Sequence, residues 1–234
     1  MKSKLLASLL AVISISAVAS SSIDDFKGRF TKAYPKTQLS SVETTAIPGV
    51  YEVTMGRNIA YVSEDTRYFM FGTLYDMKTS TDLTANKREL AARVDFSKLP
   101  LKNAIVIKNG NGKRSVAVFT DPDCPYCLQL HKELSGVKDA TIYVFLFPLD
   151  GLHPQASAKA KAIWCAKDKS KALDDWFLMG KLPDSESCDT PIDSNVKLGE
   201  SFGINGTPTL IFKNGKLAPG TRSAADINKL LDEK

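Results

Sequence analysis

The chain has 234 residues, enough for one or two domains with a sizeable core. Its 31 Lys and Arg against 26 Asp and Glu leave a mild formal charge of +5, with basic residues interspersed among acids. No basic stripe with interleaved aromatics is present, so nothing supports a nucleic-acid partner.

Met1 to Ala19 reads as a cleavable export signal. Lys2 and Lys4 precede an apolar run from Leu5 to Val18, which ends in Ala17-Val18-Ala19, a small-x-small cleavage site. Ser8, Ser14 and Ser16 interrupt the run, which is short for a membrane span. Cleavage after Ala19 is expected, with no membrane insertion afterwards; loss of two lysines takes +5 to +3. All four cysteines lie beyond the signal, in an oxidising compartment where disulfides are expected.

Residues 20–79 contain no cysteine and differ in texture from the rest. Ile23, Phe26 and Phe30 recur at helical spacing, and Tyr34-Pro35 ends that helix. Gly- and Pro-punctuated runs at Val50 to Met55, Ile59 to Val62 and Tyr68 to Phe71 read as a small antiparallel sheet. About 60 residues of this kind bury little surface alone, so self-association through this domain is expected. Asp82 to about Phe96, within residues 80–102, reads as a linking helix.

Residues 103–234 turn to an α/β pattern. Ala104 to Ile107 and Ser115 to Thr120 read as strands around Asn109-Gly110-Asn111-Gly112, which signals a hairpin. A short helix follows Cys124. Thr141 to Phe147 is a nearly continuous apolar strand, as expected of one buried on both faces. Pro154 to Gly180 is largely helical, longer than one crossover requires; Lys159, Lys161, Lys167, Lys169 and Lys171 read there as a solvated face. Another helix opens at Thr190-Pro191. Thr209 to Phe212 and Lys216 to Ala218 form a hairpin over Asn214-Gly215, and Ser223 caps a last helix. This order is a thioredoxin-like arrangement with a helical insertion.

The chemistry centres on Phe119-Thr120-Asp121-Pro122-Asp123-Cys124-Pro125-Tyr126-Cys127. A C-x-x-C where a strand passes into a helix suits thiol–disulfide exchange. Cys124 stands at the helix start, where the dipole favours an anion, and Pro125 fits the first helical position. Asp121 and Asp123 oppose that effect wherever they lie close. Cys127 lies about one turn on, placed to close a disulfide and expel a bound substrate. A zinc site recruiting His131 is the weaker alternative, because no second ligand pair stands at suitable spacing. No cofactor is called for. With Cys124 and Cys127 taken as the close pair, Cys165 is left with Cys188, read as a structural bridge worth roughly 3 kcal/mol, with a second redox pair as the alternative. In Gly206-Thr207-Pro208-Thr209 a proline opens a strand. A cis Thr207-Pro208 bond beside the cysteines would leave the Thr207 backbone free to pair with an extended substrate.

These residues resemble the DsbC/DsbG family of periplasmic protein disulfide isomerases, and are closest to DsbC. The likeness rests on the Phe-Thr-Asp lead into C-x-x-C, on Ala162-Ile163-Trp164-Cys165-Ala166-Lys167-Asp168-Lys169, and on Gly206-Thr207-Pro208. The resemblance implies a cystatin-like N-terminal dimerisation domain, a linker helix and a thioredoxin-like catalytic domain, assembled as a V-shaped homodimer around an uncharged cleft. It implies Cys124 as nucleophile, Cys127 as resolving thiol, Thr207-Pro208 as the substrate-binding cis-proline loop, and a Cys165–Cys188 bridge. It further implies periplasmic location in a Gram-negative bacterium, misoxidised exported proteins as substrates, chaperone activity, and reduction by a membrane thiol reductase of the DsbD type. The Pro-Tyr dipeptide is the DsbG-like form, so a net thiol oxidase or a holdase chaperone is the alternative.

Overall fold

The computed structural model describes residues 22–184 and 187–233; the expected export signal at residues 1–19 lies outside the described residues. The chain divides into two compact units, with the boundary between Thr84 and Ala85.

In the N-terminal unit Ser22 caps α1 (Ile23–Ala33) by accepting the Asp25 N–H at 3.1 Å. Asp24 and Asp25 in the first turn and Lys32 in the last complement the helix dipole. Phe26 and Phe30, one turn apart, are buried on the face that meets the sheet. That sheet is β1 (Leu39–Thr44), β2 (Val50–Met55), β3 (Asn58–Ser63) and β4 (Phe69–Met70), antiparallel and in that order. Gly56 holds φ +59° in the two-residue turn between β2 and β3, where L side chains are strained. The core joins Phe26, stacked 4.2 Å from Tyr51, to Phe30, Val42, Val53, Ala60 and Val62. A two-stranded ribbon, β5 (Tyr75–Asp76) with β6 (Thr81–Asp82), completes the unit. The mostly polar β1 carried no clear alternating signal; its one buried side chain, Val42, ties it to the core.

The C-terminal unit opens with α2 (Ala85–Ala92), shorter at both ends than the helix expected from the sequence. Two 3-10 turns follow, and the segment is anchored where Val94, itself buried, donates its N–H to the Gly215 carbonyl at 2.8 Å. The remaining elements are β7 (Ile105–Lys108), β8 (Arg114–Thr120), α3 (Pro125–Leu134), β9 (Ala140–Leu146), α4 (Ala156–Cys165), α5 (Lys169–Met179), α6 (Ile192–Ser201), β10 (Thr209–Phe212), β11 (Leu217–Pro219) and α7 (Ala224–Asp232). The sheet order is β11-β10-β8-β9-β7. β8 and β9 are parallel, joined through α3, and every other pairing is antiparallel. Side chains of β8 alternate between two cores. Val116 and Val118 meet α3, α4, α5 and α7, whereas Ala117 and Phe119 meet α6 and the segment around Leu99.

The hairpin expected around residues 109–112 is corrected. β7 pairs with β9, from Ile105 opposite Val144 to Lys108 opposite Thr141, and β9 separates it from β8. Two features decide this. β7 is half-exposed and suits an edge, whereas β8 is buried on both faces. The 109–112 loop also does not turn back on β8. It crosses the start of β9, where the Asn109 N–H meets the Ala140 carbonyl and a Cβ on Gly110 would lie 2.4 Å from Asp139 Oδ1.

Candidate active site

The central strand β8 delivers the chain to the site. After Thr120 the backbone turns on Asp121, whose Oδ1 accepts the Asp123 N–H at 2.7 Å and whose carbonyl accepts the Cys124 N–H at 3.2 Å. Cys124 is the N-cap of α3: its backbone is extended at φ −78°, ψ 121°, and its carbonyl accepts the Leu128 N–H at 3.2 Å. Pro125 takes the first helical position and loses no helical hydrogen bond there. The Cys124 sulfur therefore sits at the positive end of a ten-residue helix, where a thiolate gains most.

Cys124 and Cys127 are unbridged, with 6 % and 1 % of their surface exposed. The Asp121 N–H donates to Cys127 Sγ at 3.4 Å. Burial pushes the Cys127 thiol up to about 12, more than the Thr120 hydroxyl and the Asp121 N–H offset by favouring the thiolate. The two sulfurs thus differ in kind: one at a helix tip, one held protonated in the core.

Across from them, the Thr207–Pro208 bond is cis. The Cys124 thiol faces the Thr207 carbonyl at 3.4 Å. The β8–β10 ladder begins at Thr209 opposite Phe119, so Thr207 precedes any strand pairing. The structure thus brings Cys124, Cys127, Thr207 and Pro208 to one place. Cys165 and Cys188 are bonded to each other elsewhere, at the end of α4 and ahead of α6, with S–S 2.04 Å.

The surroundings hold groups that sequence reasoning did not assign. The fully buried Asp121 carboxylate also accepts the Leu149 N–H at 2.7 Å and His153 Nδ1 at 2.9 Å, clasping the loop after β9. Asp123 pairs with Lys159 at 2.5 Å. The Lys159 ammonium also lies 4.7 Å over the Trp176 ring, whose Nε1–H donates to the Pro122 carbonyl at 2.7 Å. Lys159 is therefore corrected from the solvated face to the site; Lys161, Lys167 and Lys171 are exposed, and Lys169 rests on Trp164. The Asp-Pro-Asp lead signalled a turn, but the partners of its carboxylates lie 28 to 36 residues away. His131, the weaker zinc candidate, bonds Asp174 through Nε2 at 2.8 Å and packs 4.8 Å from Phe177; burial lowers its pKa.

Known proteins are similar to this chain. Residues 101–234 match a family profile described as a thioredoxin-like domain, and residues 15–85 match the disulfide bond isomerase protein N-terminal domain. The chain is 36 % identical over 197 residues to the "Probable thiol:disulfide interchange protein DsbC" of Bordetella pertussis, covering 84 % of this chain and 70 % of that one. It is 32 % identical over 234 residues to the thiol:disulfide interchange protein DsbC of Escherichia coli K12, covering 99 % and 96 %. The crystal structure of a disulfide interchange protein from Neisseria gonorrhoeae superposes with TM-score 0.55 at 44 % identity, over 57 % of this chain and 96 % of that one.

Proposed function

The chain belongs to the DsbC family of thiol:disulfide interchange proteins and is a disulfide isomerase; from that premise we propose that Cys124 is its nucleophile, Cys127 its resolving thiol, and the Thr207–Pro208 segment the edge on which a client polypeptide lies. The observation that carries this reading is Cys124 Sγ at the α3 N-cap, 3.4 Å from the Thr207 carbonyl.

The Cys124 thiolate attacks one sulfur of a client disulfide. A Cys124–client mixed disulfide forms, and the other client sulfur leaves as a thiolate that takes a proton from solvent. In isomerisation a second client thiolate attacks the client sulfur of the mixed disulfide, a new client disulfide forms, and Cys124 leaves as thiolate with no net redox change. When no client thiol arrives, Cys127 loses its proton and attacks the Cys124 sulfur. The client is expelled reduced by two electrons, and the Cys124–Cys127 pair is left oxidised. The high pKa of Cys127 suits this timing, because a thiol kept protonated gives the client time to rearrange. Thr207, outside the ladder, presents backbone to an extended client chain.

The rest of the proposal follows from family membership and sequence. The export signal directs the protein to the periplasm of a Gram-negative bacterium. Its clients are misoxidised exported proteins, and a membrane reductase of the DsbD type returns the pair to thiols. The N-terminal domain joins two copies, and the dimer has chaperone activity independent of cysteine chemistry. The Cys165–Cys188 bridge is structural. No helix among the described residues is long and apolar enough to cross a membrane.

Refolding of scrambled ribonuclease in a glutathione buffer tests the assignment. The wild type restores ribonuclease activity and the Cys124→Ser variant adds nothing to the buffer. A Cys124→Ser variant that still isomerises removes Cys124 from the reaction. Suppression of aggregation that survives in this variant belongs to the chaperone activity.

A further inference from the structure

We propose that Lys159 is a positioning residue for disulfide exchange, its ammonium cancelling the Asp123 charge beside Cys124 so that the helix tip can hold the nucleophile as thiolate. This rests on the assignment of Cys124 as nucleophile.

Two carboxylates precede Cys124 within three residues, an arrangement that by itself opposes a thiolate. The structure disposes of them separately. The Asp121 carboxylate is occupied by the Asp123 and Leu149 N–H groups and His153. Asp123 directly precedes Cys124 in the chain, with consecutive Cα atoms about 3.8 Å apart, so its charge belongs to the same turn as the sulfur. Its partner is Lys159 of α4, at 2.5 Å, and the two side chains are 17 % and 18 % exposed, shielded from most solvent screening. Magnitudes show what is at stake. The helix end supplies roughly half a positive charge, whereas an unpaired carboxylate brings a full negative one. Without Lys159 the carboxylate charge would stand uncompensated against the helix end.

Lys159 is also held in place. Its ammonium rests on the Trp176 ring of α5, and Trp176 fixes the Pro122 carbonyl in the same turn. The two helices between β9 and α6 thereby reach back to the turn ahead of Cys124, which gives the helical insertion a part in the chemistry beyond packing.

The test uses the full mature protein with Lys159→Met, Lys159→Arg, Asp123→Asn and the Asp123→Asn/Lys159→Met double variant. The readout is the rate of alkylation of reduced protein between pH 4 and 7, where Cys127, at about 12, stays protonated and silent. In Lys159→Met the profile moves to higher pH, and the rate at pH 6 falls roughly three- to tenfold. Lys159→Arg keeps the wild-type profile, and the double variant returns to it, because removing the carboxylate removes the need for the cation. An unchanged profile in Lys159→Met overturns the proposal. So does a loss that the double variant fails to restore, since packing alone would then explain it. Insulin reduction by the wild type is measured alongside. Its absence would sink the catalytic reading, while the alkylation profiles would still report on Lys159.

Discussion

The two units solve the problem of burial differently. The C-terminal unit covers both faces of its sheet, with helices and side chains filling a core on each side of β8, and sets its redox pair at one helix tip. The N-terminal unit has one helix on one face of a four-stranded sheet and a single small core. Both units leave large apolar side chains in water: Tyr68, Met70, Phe71 and Met77 in the N-terminal unit, and Tyr126, Leu152 and Met179 in the C-terminal one. Where such side chains gather, they mark an interaction surface. The difference teaches that the single-cored unit has less interior of its own, and its match to the disulfide bond isomerase N-terminal domain supports a homodimer.

The comparison breaks most visibly if exposed apolar side chains of the N-terminal unit are charged. Phe71→Asp with Met77→Asp should convert a particle of twice the mature chain mass to one of a single chain mass in light scattering, with insulin reduction retained. A variant that stays dimeric assigns those side chains another role. Next in size, Phe26→Ala removes an aromatic from the single core of the N-terminal unit and should cost about 3–5 kcal/mol there. Chemical denaturation should show this as an earlier transition for that unit alone, and a shift of the catalytic unit by the same amount would show that the two unfold as one.

Replacing Cys165 and Cys188 by Ala should cost the C-terminal unit roughly 3 kcal/mol through the looser unfolded chain. Insulin reduction at 25 °C should persist; its loss would make that bridge a second redox pair. The smallest effect is on pH dependence. Burial lowers the pKa of His131 against the opposing pull of Asp174, so the unfolded chain takes up the proton first as pH falls. Stability from neutral His131 is full above the ordinary value of about 6.5 and is lost as pH falls through the lower folded value. His131→Gln should flatten that limb in urea midpoints measured between pH 7 and 5. Both histidines lie in the C-terminal unit, so the N-terminal unit should show no such limb.

Much was legible from the residues alone because it is encoded within a turn or a strand. The C-x-x-C after a β-branched strand, Pro125 at the first helical position, Ser223 as a cap, and the hairpin over Asn214-Gly215 depend on neighbours a few residues apart. Those local rules determined where the thiols stand and that one opens a helix. Tertiary packing alone decided that β7 lies against β9, that the Asp121 carboxylate is buried under His153, and that Lys159 leaves the solvated face to meet Asp123. The reason is physical: strand neighbours and charge partners are selected by which buried faces and unpaired groups meet once the chain has closed over many residues. No periodicity within a single element carries that choice.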